Sequence, residues 1–314
     1  MVAGLDEAEL DRRIRTNTLK DLKGIGPKTA TAIAQAHEGQ VPEYLADLEQ
    51  GYADEVPAAD EIAAFRAALK GDLHAHSDWS DGGSPIREMA EAAIALGHEY
   101  LALTDHSPRL TVANGLSPER LEQQLDVVAA LNEELAPFRI LTGIEVDINV
   151  DGSLDQTDEL LGRLDAVVAS VHSDLRADRA AMTRRMLAAV ADPHTDVLGH
   201  CTGRLVIGRR QRNGTQRPRP ESQFDAEAVF SACVEHGTAV EINSRPERLD
   251  PPRRLLTLAV ELGCEFAIDT DAHAPGQLDW QYNGCERAIE CGVPVERVVN
   301  TRSADDLLEW TTPP

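Results

Sequence analysis

Lysine, cysteine and aromatic side chains are scarce in this sequence, and long apolar runs are missing altogether. Phe, Tyr and Trp together make up 4% of the 314 residues. The five cysteines, Cys201, Cys233, Cys264, Cys285 and Cys291, are odd in number and form no CxxC pair. That pattern argues against a disulfide framework and against a thiolate zinc site, so reduced thiols are expected. No stretch reaches the roughly 18 to 20 consecutive apolar residues of a membrane span. The opening MVAGLDEAELDRR is too polar for a secretory signal. A cytoplasmic protein without membrane contact is the expectation.

Only Lys20, Lys23, Lys28 and Lys70 are lysines, and all other basic residues are arginines. Against 30 basic side chains stand 54 acidic ones, a formal net charge of -24. A charge of that size repels nucleic acid in dilute salt. Acidic, lysine-poor, alanine-rich composition is also that of cytoplasmic proteins from halophilic organisms, in which the charge answers to the solvent. Near-molar salt then screens interactions beyond a few ångströms, and local basic patches matter more than the total. Residues 1–40 balance six acidic against six basic side chains, whereas 41–70 hold seven acidic and two basic. With 42% hydrophobic content, the chain has room for one sizeable core and a smaller module. The organisation read from the sequence is a small all-α module over 1–41, an acidic helical linker over 42–70 and an α/β domain over 71–314.

From 71 to 310, short β-branched apolar runs alternate with amphipathic helical stretches, the rhythm of βα units on a parallel sheet. Strands are expected over 72–76, 100–104, 140–147, 166–171, 197–200, 239–243 and 266–269, and seven of them suggest a barrel. Helix starts are marked by Ser84 before Pro85, Ser117 before Pro118, and Asp250 before Pro251 and Pro252. Gly97, Gly237, Gly263 and Gly292 read as helix stops.

Strand alternation sends residues i and i+2 to one face, so HAH at 74–76 aims His74 and His76 together. DAH at 271–273 repeats the arrangement with Asp271 and His273. Four further strands end on a metal-ligating type: His106 in LALTDH, Glu145 in LTGIEVD, His172 in VVASVH and His200 in DVLGH. Asp81 lies in the loop after the first strand. The C-terminal ends of parallel barrel strands converge on one mouth, where βα loops build active sites. An isolated histidine is more often a surface or hydrogen-bonded core residue. Six at strand ends, with three carboxylates, point to a metal site suited to Zn²⁺, Mn²⁺ or Fe²⁺. His37, His98, His194 and His236 fall outside the pattern. His98 and His236 read as cations at helix ends, and His194 is the rival ligand.

The runs GDLHAHSDWSDG, LTDHS, GIEVD, SVHSD, GHCTGRL, EIN and DTDAH resemble the polymerase and histidinol phosphatase (PHP) superfamily. More narrowly they look like the PHP domain at the C-terminus of bacterial and archaeal family X DNA polymerases. The resemblance covers 71–310, with all nine ligand positions occupied. It implies a distorted (β/α)7 barrel and three divalent metal ions. One would be held by His74, His76, Glu145 and Asp271, a second by Glu145, His172 and His200, and a third by Asp81, His106 and His273. Glu145 would bridge the first two. The reaction so implied is hydrolysis of phosphate esters, with His74, His76, Glu145, Asp271 and His273 at its catalytic core. Paired metals clamp the attacking and leaving oxygens and acidify water, and His273 or His106 would ease departure of the leaving oxygen. No serine elbow, Walker loop or Cys-His pair competes, since GIGPKT at 24–29 lacks the Walker spacing.

The stretch GRLVIGRRQRNGTQRPRP over 203–220 holds six arginines and no acidic residue. A solvated loop is the plainer reading. Because it follows His200 on the same face, contact with a substrate phosphate or DNA backbone is expected from Arg204, Arg209 and Arg210, with Arg204 foremost. Arg245 and Asn243 are weaker candidates. At the other end, LKDLKGIGPKTATAIAQA over 19–36 resembles a helix-hairpin-helix motif. Gly24 and Gly26 permit a tight hairpin whose amides approach a phosphate, and Lys23 and Lys28 flank it, contacts that ignore base sequence. A plain packing hairpin is the alternative. About 30 residues without paired DxD carboxylates separate hairpin from barrel, so no polymerase palm is expected. The combined expectation is a metal-dependent phosphoesterase acting on DNA 3′ ends as exonuclease or 3′-phosphatase, with abasic sites as a further substrate. The alternative is a phosphatase for a phosphorylated small molecule of histidinol-phosphate type, which needs neither hairpin nor arginine loop.

Overall fold

A computed structural model describes residues 7–37, 57–208 and 218–312. The chain divides into two compact units, 1–56 and 57–314. In the first, helix α1 over Glu7–Arg15 is followed by a 3-10 turn over Leu19–Asp21 and helix α2 over Pro27–His37. The hairpin between turn and helix passes through Gly24 at φ +83°, a conformation that a side chain would strain. Pro27 opens α2 where its missing N–H costs nothing. Leu19 and Ala30 are buried, and His37 Nε2 lies 2.6 Å from Asp11 Oδ1, tying the end of α2 to α1.

In the second unit seven strands lie in sequence order and all run parallel. They are β1 Gly71–Ala75, β2 Tyr100–Leu103, β3 Arg139–Asp147, β4 Ala166–Ser170, β5 Val197–Leu198, β6 Ala239–Asn243 and β7 Phe266–Asp269. Helices cover the outer face and side chains fill the inner one, so the strands are apolar on both faces. Val167, Ala169, Leu198, Val240, Ile242, Phe266 and Ile268 belong to the outer cluster. Ala102, Leu141, Val168, Val197, Ala239 and Ala267 form a separate inner cluster with Leu73, which continues into Val299 and Leu307 of the C-terminal segment. Each Val, Leu, Ile or Phe side chain among them contributes roughly 1.5–3 kcal/mol on burial. The result is a (β/α)7 barrel. Among the described residues no helix is long and apolar enough to cross a membrane.

β1 and β7 close the barrel mostly through side chains. One isolated bridge joins Ala75 to Ala272. Below it, Asp269 Oδ1 accepts from the Leu73 N–H at 2.8 Å, and Asp72 Oδ2 accepts from the Thr270 hydroxyl at 2.6 Å. Buried carboxylates thus replace the missing ladder.

Ser117 caps the helix Pro118–Leu135, accepting from the Arg120 N–H at 3.3 Å. Gly237 and Gly263 end their helices in the left-handed region. The helices Ile86–Ala95 and Arg253–Leu262 are preceded by Pro85 and Pro252 rather than capped by Ser84 and Asp250. Asp250 instead accepts from the Thr202 hydroxyl at 2.6 Å. The segment read as a linker needs a correction in its second half. Residues 59–68 form the helix Ala59–Ala68, whose Ile62 is 1% exposed within the main core, so burial of this side chain draws the helix into the barrel unit. Residues 38–56 lie outside the described residues.

Candidate metal centre

The strand ends bring nine side chains to one mouth. β1 delivers His74 and then His76, both fully buried, and the following loop carries Asp81. Asp105 fixes that loop by accepting from the Ser77 N–H at 2.9 Å, the Ser77 hydroxyl at 2.6 Å and the Ser80 hydroxyl at 2.5 Å. His106, Glu145, His172 and His200 stand at or just beyond the ends of β2 to β5, and Asp271 and His273 follow β7. Asp271 sits at φ +51°, a strained backbone of the sort that clusters at functional sites.

Glu145 is the hub. Its Oε2 lies 3.3 Å from His74 Nε2, 3.6 Å from His76 Nε2 and 2.8 Å from His106 Nδ1. Its Oε1 lies 3.2 Å from His172 Nε2 and 2.8 Å from His200 Nε2. Asp81 Oδ1 lies 3.5 Å from His106 Nε2 and 3.3 Å from His273 Nε2. Asp271 Oδ1 is 3.5 Å from His76 Nε2. Three sets offer donor atoms that all lie within 4.8 Å of one another: His76, Asp81, His106 and His273; His74, His76 and Asp271; and His106, Glu145 and His172. His76 and His106 each fall in two sets, whereas the resemblance assigns each to one ion.

Charge is arranged to match. Burial alone would push the Glu145 carboxyl up, but the His172, His74 and His106 imidazoles hold it well below the usual range. Burial likewise opposes ionisation of Asp271, and the Arg248 and Arg245 guanidiniums overcome it. Burial, followed by the neighbouring His273 and His106, drives His76 well below the usual imidazole range and leaves its ring neutral. Burial would lower His172, but Glu145 and Asp147 push it up to about 9.

His74 Nε2, both nitrogens of His76, His106 Nδ1, His172 Nε2, His200 Nδ1 and Glu145 Oε2 are buried and make no hydrogen bond. So many unsatisfied donors and acceptors in one place would cost several kcal/mol in total at about 1–3 kcal/mol each. Divalent cations would satisfy those that converge on Glu145, and a set of imidazoles and carboxylates without thiolate suits Zn²⁺, Mn²⁺ or Fe²⁺. The residues present therefore fit such ions.

The arginines divide differently from the sequence reading. Arg204 donates from Nε to the Arg248 carbonyl at 3.1 Å and from Nη2 to the Leu249 carbonyl, so its guanidinium staples a loop. The stapled loop carries Arg248, whose Nε donates to Asp271 Oδ2 at 2.8 Å. Arg245 Nη1 donates to the Asp271 carbonyl at 3.2 Å and lies 3.1 Å from His273 Nδ1. Arg209 and Arg210 lie outside the described residues. Sequence reasoning passed over Arg248 and Asp147, the latter 3.1 Å from His172 Nδ1. Both lie within a few residues of a strand end, and the strand-end logic used for histidines would have found them if extended to all polar types. His194 lines a cavity with Asp165 and Asp196, which immediately precede β4 and β5, away from the nine. His98 is a second correction: it is buried, 3.2 Å from Gln281 Oε1, and pushed down to about 4 by burial and then by Arg66, so it is neutral rather than a helix-end cation.

On the hairpin, Lys23 and Lys28 are exposed, and a Cβ added at Gly24 or Gly26 would meet nothing within 4 Å.

The described PHP domain family matches residues 72–245. DNA polymerase/3′-5′ exonuclease PolX of Bacillus subtilis is 42% identical over 239 residues, 76% of this chain. The match spans only 40% of that protein's length. A probable phosphatase of Thermoanaerobacter is 27% identical over 73% of this chain and 89% of its own length. A solved histidinol phosphate phosphatase from Lactococcus lactis, complexed with zinc, L-histidinol and phosphate, gives a TM-score of 0.47 at 20% identity, covering 71% of this chain and 92% of that one. A parallel barrel with imidazoles and carboxylates gathered at its mouth, and a family match across most of its strands, lead to one assignment: the chain belongs to the PHP domain family and is a metal-dependent hydrolase of phosphate esters.

Proposed function

We propose that this chain hydrolyses phosphate esters at DNA 3′ ends, as exonuclease or 3′-phosphatase, with abasic sites as a further substrate. The observation that carries the reading is the ring of buried imidazole nitrogens around Glu145 that make no hydrogen bond. We assign His74, His76 and Asp271 to one ion, His172 and His200 to a second with Glu145 shared, and Asp81, His106 and His273 to a third. Bound divalent ions would polarise the phosphoryl oxygens and lower the pKa of water towards neutrality.

The chain's own residues orient the substrate. Arg248 Nη1 is buried without a hydrogen bond, next to Asp271, and would donate to a phosphate oxygen. Arg245 holds the Asp271–His273 loop against the same side of the mouth. His273, half-buried with Nε2 3.3 Å from Asp81 Oδ1, would help hold the third ion, whose charge would stabilise a departing oxygen. Lys23 and Lys28, with the amides beside Gly24 and Gly26, would grip the DNA backbone without reading its sequence. We assign this role to a helix-hairpin-helix module over 1–41, followed by the segment 42–70 and the phosphoesterase domain. The PolX relative supports DNA as partner.

A small phosphorylated molecule is the second reading, favoured by the probable phosphatases that align over most of their own length. The deciding experiment offers the purified chain, loaded with Mn²⁺ or Zn²⁺, 3′-phosphorylated, 3′-recessed and abasic DNA beside histidinol phosphate. Turnover of the DNA ends is expected. Turnover of histidinol phosphate alone would replace the first reading by the second.

A further inference from the structure

β6 gives no residue to the nine, yet its inner face places a carboxylate and an amide at the depth of the metal centre. Glu241 and Asn243 are i and i+2 on this strand and both are 0% exposed. Glu241 Oε1 lies 2.6 Å from His74 Nδ1. Glu241 Oε2 accepts from the backbone N–H of His200 and from Asn243 Nδ2, the latter at 3.2 Å. Asn243 Nδ2 also lies 3.3 Å from Asp271 Oδ2. Residues of β6 thus touch one member of the centre from β1, one from the end of β5 and one from beyond β7.

We propose that Glu241 is the positioning residue of the metal centre: it fixes the tautomer and aim of His74 and the backbone that presents His200, with Asn243 extending the hold to Asp271. The inference rests on the metal reading above and goes beyond it by naming a residue that touches no ion. A neutral imidazole has one N–H and one lone pair, and a carboxylate can only accept. With Glu241 on Nδ1, the proton of His74 stays there, and the Nε2 lone pair faces Glu145 at 3.3 Å. That Nε2 makes no hydrogen bond, which leaves it free to bind a cation. Both oxygens of Glu241 are already engaged by donors, so it braces the ligands without joining them. Asp147 serves His172 in the same manner, with Oδ1 3.1 Å from both its Nδ1 and its backbone N–H. Glu241 differs in reaching across the barrel interior and braces two histidines from separate strands.

Glu241→Gln tests this, because glutamine keeps the volume but must turn its NH₂ towards either the His74 Nδ1–H or the His200 N–H, both donors. Stepwise Zn²⁺ or Mn²⁺ affinities of the full chain would be measured by chelator competition, with metal content by mass spectrometry. The expected result is a loss of about ten- to a hundredfold for the ions held through His74 and His200. The ion assigned to Asp81, His106 and His273 should keep its affinity within about twofold. Unchanged affinities for all ions would overturn the proposal, and so would a uniform loss, which marks a merely structural defect. Should the glutamine variant fail to fold, Glu241→Asp retains the charge with a shorter reach, and the same selective loss, smaller in size, is expected of it. A wild-type chain that takes up no divalent ion would overturn the metal reading itself, a result distinguishable from all of these.

Discussion

Arg248 and Asp271 are joined at the mouth of the barrel: Nε of the guanidinium donates to Oδ2 of the carboxylate at 2.8 Å, while Nη1 of the same group is buried and makes no hydrogen bond. One side of the arginine keeps Asp271 ionised, and the other retains a donor for an incoming anion. A phosphate oxygen is the ligand that such a fork accommodates best. Arg248→Lys keeps the charge and loses the fork, and kcat/KM for a phosphate ester should fall by roughly a hundredfold, in line with the loss of one preorganised donor. Steady-state kinetics checks it, and wild-type KM and kcat in the variant would show that the guanidinium plays no part in substrate binding.

Stripping the ions should affect folding as well as turnover. Cations bound only by the folded chain stabilise it by about 2.7 kcal/mol per site at a hundredfold excess over Kd. Dialysis against a chelator is expected to abolish hydrolysis and to lower Tm by several degrees, and added Mn²⁺ or Zn²⁺ should restore both. Thermal melts with and without chelator provide the measurement. Identical melts would count against ions at the buried imidazoles.

His98 makes stability depend on pH. Its folded pKa is pushed down to about 4, whereas an unfolded chain takes up the proton near 6.5. The contribution is therefore fully present above about pH 6.5 and is lost as the pH falls towards 4, a total of about 3 kcal/mol at most. His98→Gln removes the titrating ring, so its unfolding free energy should decline less steeply than that of the wild type between pH 7 and 4.5. Urea unfolding at several pH values reads the two slopes, and equal slopes would show that this ring does not titrate with a shifted pKa.

If the hairpin holds DNA through its backbone, replacing both Lys23 and Lys28 by alanine should weaken binding equally for all sequences. The slope of log K against log salt should shrink by about 1.8, that is about 0.9 for each lost phosphate contact. Hydrolysis of a small phosphate ester should be untouched. Fluorescence anisotropy at graded salt gives the slope, and an unchanged slope would leave the hairpin as a packing element.

The barrel and its nine mouth residues were legible because both follow from local rules. Period-two alternation in HAH, and a ligating type at or just beyond the end of six of the seven apolar runs, need no knowledge of tertiary contacts. What stayed hidden depends on partners far away in sequence. The staple made by Arg204 could not be read because its targets, the carbonyls of Arg248 and Leu249, are brought to it only by the fold. His98 looked like a helix-end cation because nothing local announces Gln281 as its partner. The helix Ala59–Ala68 looked like linker because its alanine-rich composition carries little amphipathic signal beyond Ile62.

The side-chain closure between β1 and β7 has a thermodynamic consequence. His74 and His76 hang on one lip of that seam, Asp271 and His273 on the other, and beneath the Ala75–Ala272 bridge the gap is spanned by side chains, among them Asp72, Asp269, Gln281 and Asn300. Ions gripped from both lips would act as rivets, so the amide protons of Leu73 and Thr270 should exchange with solvent more slowly in the loaded protein than in the stripped one, and cation release and breathing of the barrel would be a single event seen from two sides.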